Sequence, residues 1–184
     1  MKSAELYNHL ERDFIFEGLR DDWARYMNDL DGYLSENFKK RSMGLVCDFT
    51  DEIKKVYSAV FPSDQVIKKI INDGITDAML FLHHPSIWDI RRPKPFYQMN
   101  EALLEKFRQN RISIYNLHVP LDNFSEYSTS KTLADALGIE IEKPFMSLFL
   151  EFTQEHVFFI LKNIQTPIQM NVYWYRVWMI CALT

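Results

Sequence analysis

Two short runs of this sequence place ligand-type side chains just beyond apolar segments. The first is His83-His84-Pro85, closing the apolar run 78–82; the second is His118-Val119-Pro120-Leu121-Asp122, closing the run 112–117. Imidazole nitrogen suits zinc, iron and manganese-group ions, and a carboxylate such as Asp122 can bridge two cations. Two cations held close together activate water and steady a developing oxyanion. The chemistry on offer is therefore binding of divalent metal by His83, His84, His118 and Asp122. Each run also has a plainer explanation. Successive side chains of a regular strand point to opposite faces, so a His-His pair is commonly two unrelated imidazoles. A His-x-x-x-Asp segment after a strand is commonly a turn, its aspartate capping nearby backbone.

What separates these readings is the set of elements that would position the side chains. Residues 53–61 (IKKVYSAVF) have the β-branched content of a strand, weakened at its start by Lys54 and Lys55. Pro62-Ser63-Asp64 then opens a helix with Ser63 as its N-cap, an apolar stripe of Val66, Ile67, Ile70 and Ile71, and a stop at Asn72-Asp73-Gly74. The run 78–82 is a second strand, 96–109 a second helix with Met99, Leu103 and Phe107 on one face, and 112–117 a third strand. A third helix spans 129–137 and stops at Gly138. Strand alternating with helix predicts an α/β fold with a mostly parallel sheet flanked by helices. In such sheets ligands bind beyond the carboxyl ends of the strands. Both histidine runs lie at such ends, and their spacing suits one crossover unit. Pro85 keeps His84 extended and ends the strand's pairing, which lets the backbone turn there.

Outside this core, residues 7–38 show apolar spacings of three and four, which predict one or two amphipathic helices. The tail, 146–184, contains strand-like runs (MSLFLEF, HVFFIL) expected to pair antiparallel at the sheet edge. The expected organisation is an N-terminal helical segment (1–42) packed on the core, an α/β metal-binding core (43–145), and a C-terminal extension of the same domain (146–184).

The bulk properties exclude several classes of function. A net charge of −4 gives no electrostatic reason for a nucleic-acid partner. The N-terminus carries charged residues unlike a signal peptide, and the apolar stretch 172–183 is interrupted by Arg176 and shorter than the roughly 20 residues that span a bilayer. Two cysteines, Cys47 and Cys181, fit no zinc or redox signature, so a cytoplasmic protein is expected. Arg91 and Arg92, with Lys94, form a small basic cluster that reads as a solvated loop or as contacts to an anionic substrate. His9 and Glu155-His156 are weaker candidates. Cys47 lacks an activating neighbour, no phosphate-binding glycine loop is present, and Ser86, Ser113 and Ser125 fit no nucleophile elbow.

Three blocks resemble the NIF-three-like family of dinuclear-metal proteins, many of whose bacterial members are called type-two GTP cyclohydrolase homologues. These are MGLVCDF followed by IKKVYSAVFPSDQVIKKIINDGITDAMLFLHHP, then KFRQNRISIYNLHVPLD, then STSKTLADALGI. The resemblance covers residues 43–144. It implies an α/β fold and a two-metal centre in each subunit, with His83 and His84 as ligands and Asp122 bridging both ions. His118 carries over as a weak ligand or as an outer orienting group. It also implies a ring-shaped homo-oligomer, often a hexamer. One family feature is missing, a His-x-x-x-Glu motif on a late helix. The only histidine after Asp122 is His156, and Ile160 stands four residues on.

The expected function is thus that of a divalent-metal-binding protein carrying one or two zinc, iron or manganese ions per subunit. It would be a metal-dependent hydrolase of a small nucleotide-like substrate; the alternative is a non-catalytic metal-binding interaction protein or a truncated copy.

Overall fold

The chain divides into two units, residues 1–118 and 119–184. The structure is a computed structural model, and it describes residues 1–88, 96–123, 125–149 and 155–162.

The first unit opens with helix α1 (Ser3–Phe14), two 3-10 turns (Trp23–Tyr26 and Asn28–Leu30) and the short helix α2 (Glu36–Arg41). Strand β1 (Gly44–Cys47), strand β2 (Lys55–Ala59), helix α3 (Asp64–Asn72) and strand β3 (Ala78–Leu82) follow. A small hairpin, β4 (Ile87–Trp88) with β5 (Phe96–Tyr97), leads to helix α4 (Glu101–Gln109) and strand β6 (Ile112–Asn116). The sheet order is β1-β6-β3-β2. β2, β3 and β6 run parallel, and β1 is antiparallel to β6. The α/β architecture with a mostly parallel sheet is therefore as expected.

Two alternating residue sets in β3 and β6 explain why the sheet is covered on both faces. Ala78, Leu80, Leu82, Ile112 and Ile114 join one core with Ile67 and Ile70 of α3, Leu103, Leu104 and Phe107 of α4, and Trp23, Met27, Leu30 and Phe38. On the opposite face Tyr115 stacks between Tyr7 of α1 and Phe81, at centroid distances of 5.8 and 6.2 Å. Strands buried on both faces read as continuous apolar runs, as 78–82 does. Beneath α1, Glu11 pairs with Arg41 and accepts a hydrogen bond from the Tyr115 hydroxyl at 3.2 Å. At the amino ends of the strands, Asp77 accepts from Arg111 at 2.5 and 3.0 Å and from Lys54 at 2.7 Å.

Helix α3 starts where expected, with Ser63 Oγ accepting from the Val66 amide. Helix α4 is shorter than the 96–109 pattern suggested. Asn100 caps it by accepting from the Leu103 amide, and Phe96 and Tyr97 are held in the hairpin. Between α1 and α2 the apolar spacing yields 3-10 turns in place of a long helix. That stretch is rich in Asp and Asn, whose side chains bond nearby backbone, as Asp21 Oδ1 does with the Asp22 amide. Strand β1 was not evident from periodicity; its four residues are too few to display one.

The second unit begins with the helical turn α5 (Val119–Asp122) and helix α6 (Thr129–Leu137). Ser128 caps α6, and Gly138 ends it at φ +65°. Strands β7 (Glu140–Phe149) and β8 (Glu155–Lys162) then pair antiparallel with each other in a sheet of their own. No helix among the described residues is long and apolar enough to cross a membrane.

Candidate metal centre

The parallel pairing of β3 with β6 aligns Leu82 with Asn116, so the residues that follow the two strands emerge on one rim of the sheet. The Leu117 amide donates to the Leu82 carbonyl at 3.1 Å, carrying the register one step past β6. His83 and His84 follow β3, and His118 follows β6 at the same rim. The backbone bends at His83, and the adjacent imidazoles lie side by side, with centroids 4.5 Å apart. His118 is 4.5 Å from His84 and 5.1 Å from His83. The three rings offer ligand nitrogens that all lie within 4.8 Å of one another.

Each ring is held differently. His83 and His118 are half-buried, and the Nδ1–H of His83 donates to the Leu117 carbonyl at 3.2 Å. A carbonyl can only accept, so this bond leaves the His83 lone pair on Nε2. The Asn116 side-chain amide in turn donates to the His83 carbonyl at 3.3 Å. His118 Nδ1 lies 2.7 Å from Asp21 Oδ2, and Trp23 Nε1 approaches the same nitrogen at 3.2 Å. His84 is the most buried, at 5% exposure. Phe61 stacks on its face at 4.8 Å, and Trp23 meets it edge-on at 5.3 Å. Its Nδ1 is buried with no hydrogen-bond partner among the described residues. Burial, then the proximity of His118 and His83, holds the His84 pKa down to about 2, so its ring is neutral at ordinary pH.

These features fit a divalent cation. A neutral imidazole with an unpartnered buried nitrogen is a ligand in waiting, since such a nitrogen otherwise costs about 1–3 kcal/mol. Two nitrogens bound to one tetrahedral ion at about 2.1 Å stand about 3.4 Å apart. The nitrogens here all lie within 4.8 Å of one another, so side-chain rotations that move them by roughly 1 Å bring them onto one ion.

The structure thus brings together His83, His84 and His118, all in the first unit. Asp122 lies in the second unit, half-buried on α5. Arg91 and Arg92 fall outside the described residues. His9 is exposed on α1. Residues 155 and 156 sit in β8, opposite Phe149 and Leu148. Cys47 is fully buried, and burial pushes its thiol pKa up, in keeping with a structural role. Asp21 and Trp23 were not anticipated from sequence. They lie 97 and 95 residues from His118 in the chain, and nothing in the local pattern marks them.

Comparison with known proteins bears on the family and the fold. The sequence model of the Duf34/NIF3 (NGG1p interacting factor 3) family matches residues 28–177. The chain is 29% identical over 108 residues to a GTP cyclohydrolase 1 type 2 homolog of Borreliella burgdorferi, covering 57% of this chain and 40% of the relative. It is 32% identical over 101 residues to the homolog of the same name from Haemophilus influenzae, covering 55% and 39%. The match thus spans about two fifths of the length of each relative. Among solved structures, protein ybgI aligns with a TM-score of 0.54 at 22% identity, covering 78% of this chain and 50% of that one. The Staphylococcus aureus hypothetical protein SA1388 aligns with a TM-score of 0.51 at 20% identity, covering 80% and 42%. At these identities the two structures speak to the fold alone.

Proposed function

The chain belongs to the Duf34/NIF3 family, and from that premise we propose that it is a divalent-metal-binding protein whose centre is built on His83, His84 and His118, completed by Asp122. The single observation that carries this reading is the convergence of three imidazoles on one rim, one with a buried nitrogen that has no partner among the described residues. Asp122 enters by its motif position, four residues after His118, and a carboxylate there supplies the negative charge that three neutral imidazoles lack.

The activity we propose is hydrolysis of a small nucleotide-like molecule, a reading supported by the names of the two relatives. A divalent ion in the centre would polarise a carbonyl or phosphoryl oxygen as a Lewis acid. The protein's own part is to hold the three imidazoles in place and to wall the site with Trp23, Phe61 and Phe96, which limit water on the His84 side. Arg91 and Arg92 are proposed to meet an anionic group of the substrate. Assembly into a homo-oligomer is proposed on the family resemblance.

A second reading, metal binding without turnover, is favoured by one feature of the sequence. Residues 123–184 hold no His-x-x-x-Glu, the motif with which the family pattern completes its centre. Elemental analysis of purified protein is expected to find about one divalent ion per chain, absent from the His83→Ala, Asp122→Asn double variant. Metal-free wild-type protein would rule out both readings. With metal bound, hydrolysis of nucleotides and phosphoesters above the double variant's background supports the enzyme, and its absence supports the binder.

A further inference from the structure

We infer that Asp21 is a positioning residue for the centre: its carboxylate holds the Nδ1–H of His118, so that the lone pair of Nε2 is the one offered to a metal. The inference rests on the proposed metal-binding reading and assigns a role to a residue outside its ligand set.

Two groups compete for His118 Nδ1, and they demand opposite tautomers. Asp21 Oδ2, at 2.7 Å, can only accept, and so requires the proton on Nδ1. Trp23 Nε1, at 3.2 Å, can only donate, and so requires Nδ1 bare. The Asp21 contact is shorter and involves a charged acceptor, which makes it roughly twice as strong as a neutral bond. Trp23 is held near by packing in any case, with 5% exposure and edge-on contacts to His84, His118 and Phe96.

The carboxylate is itself oriented. Asp21 Oδ1 accepts from the Asp22 amide at 2.9 Å, which turns Oδ2 towards the imidazole. The Asp21 amide donates to the Arg41 carbonyl at 3.2 Å, tying the segment to the end of α2. The side chain of Asp21 is only 7% exposed, so its oxygen is committed to the ring and not to solvent. His83 is held in the same sense by the Leu117 carbonyl. Two of the three rings thus donate from Nδ1, one to a carbonyl and one to a carboxylate. Such outer acceptors raise the basicity of a metal-binding imidazole and fix its plane.

The test uses the full chain with 15N-labelled histidine, in chelator and above the imidazole titration, read by long-range 1H–15N correlation. His118 is expected to show a protonated Nδ1 and a bare Nε2. Asp21→Ala should shift it towards the Nε2–H form and weaken zinc binding about 10- to 100-fold in dye competition. Asp21→Asn, whose one oxygen is taken by the Asp22 amide, turns an N–H towards Nδ1 and should also give the Nε2–H form and the weaker affinity. Trp23→Phe should leave the tautomer unchanged. A wild-type His118 bearing its proton on Nε2, or a tautomer that changes in Trp23→Phe but not in Asp21→Ala, overturns the inference. The wild-type and Trp23→Phe spectra decide the matter even if Asp21→Ala does not fold. Wild-type protein that takes up no zinc overturns the metal reading and Asp21's role with it. The chelator spectra need no metal, so they distinguish that failure from an error about Asp21 alone.

Discussion

Replacing His84 by leucine should make the metal-free protein more resistant to acid, because the folded state forces this imidazole to stay neutral. Its pKa is held down to about 2, whereas an unfolded chain binds that proton below about 6.5. Stability is therefore fully present above about pH 6.5 and falls as the pH drops towards the folded value, at about 1.4 kcal/mol per pH unit. At pH 5 the wild type should have lost about 2 kcal/mol through this group alone. At pH 8 the variant loses the ring contacts with Phe61 and Trp23, worth about 0.5–1.5 kcal/mol, and sheds an unpartnered nitrogen costing about 1–3 kcal/mol. These nearly cancel, so the two proteins should differ there by no more than about 1 kcal/mol. Going from pH 8 to pH 5 should therefore open a gap of about 4–8 °C in Tm, in the variant's favour. Thermal unfolding in chelator at both pH values measures it. Zinc at about 100 times its Kd should add about 2.7 kcal/mol to the wild type only, placing it above the variant at pH 8. Parallel pH profiles for the two proteins would refute the argument that burial neutralises His84.

Two further predictions concern the scaffold that carries the centre. Hydrogen bonds from Arg111, then Lys54, hold the Asp77 carboxyl well below the usual carboxylate range, so its stabilising contribution is present above about pH 4 and is lost as the pH falls through the depressed value. Asp77→Asn should lower the urea midpoint at pH 7 and flatten the acid limb between pH 4 and 2; an unchanged acid limb would count against the clamp. Gly44 sits at φ +86°, and a Cβ there would lie 2.7 Å from Glu11 Oε1. Gly44→Ala should cost at least about 2 kcal/mol, since the backbone conformation alone costs roughly 1–2 for an L-residue. A melting temperature equal to wild type would show that the Glu11–Arg41 pair moves aside without penalty.

Much of the fold was legible because its signals are local. Ser63 and Gly138 mark helix boundaries by side-chain capping and left-handed backbone, both set by a few consecutive residues. The run 78–82 reads as a strand because both of its faces are covered. Local signals failed where two tendencies competed. Phe96 and Tyr97 open the 96–109 stretch read as helix, yet cross-strand pairing with Ile87 and Trp88 keeps them out of it. Between α1 and α2 the apolar spacing is right for a helix, but Asp and Asn side chains compete for the backbone.

The centre shows the same division. By itself the sequence determined that His83, His84 and His118 follow apolar strands, and that Asp122 completes the second motif; the adjacent order of residues is enough for that. The family resemblance gave His118 the lesser part of a weak ligand or an outer orienting group. Only the tertiary structure decided that β3 and β6 are parallel neighbours in register, which puts His118 as near to His84 as His83 is. Only folding brought Asp21 and Trp23 to that imidazole, across almost a hundred residues of chain. Such contacts depend on how the N-terminal segment packs over the rim, and no periodicity in either segment carries that information.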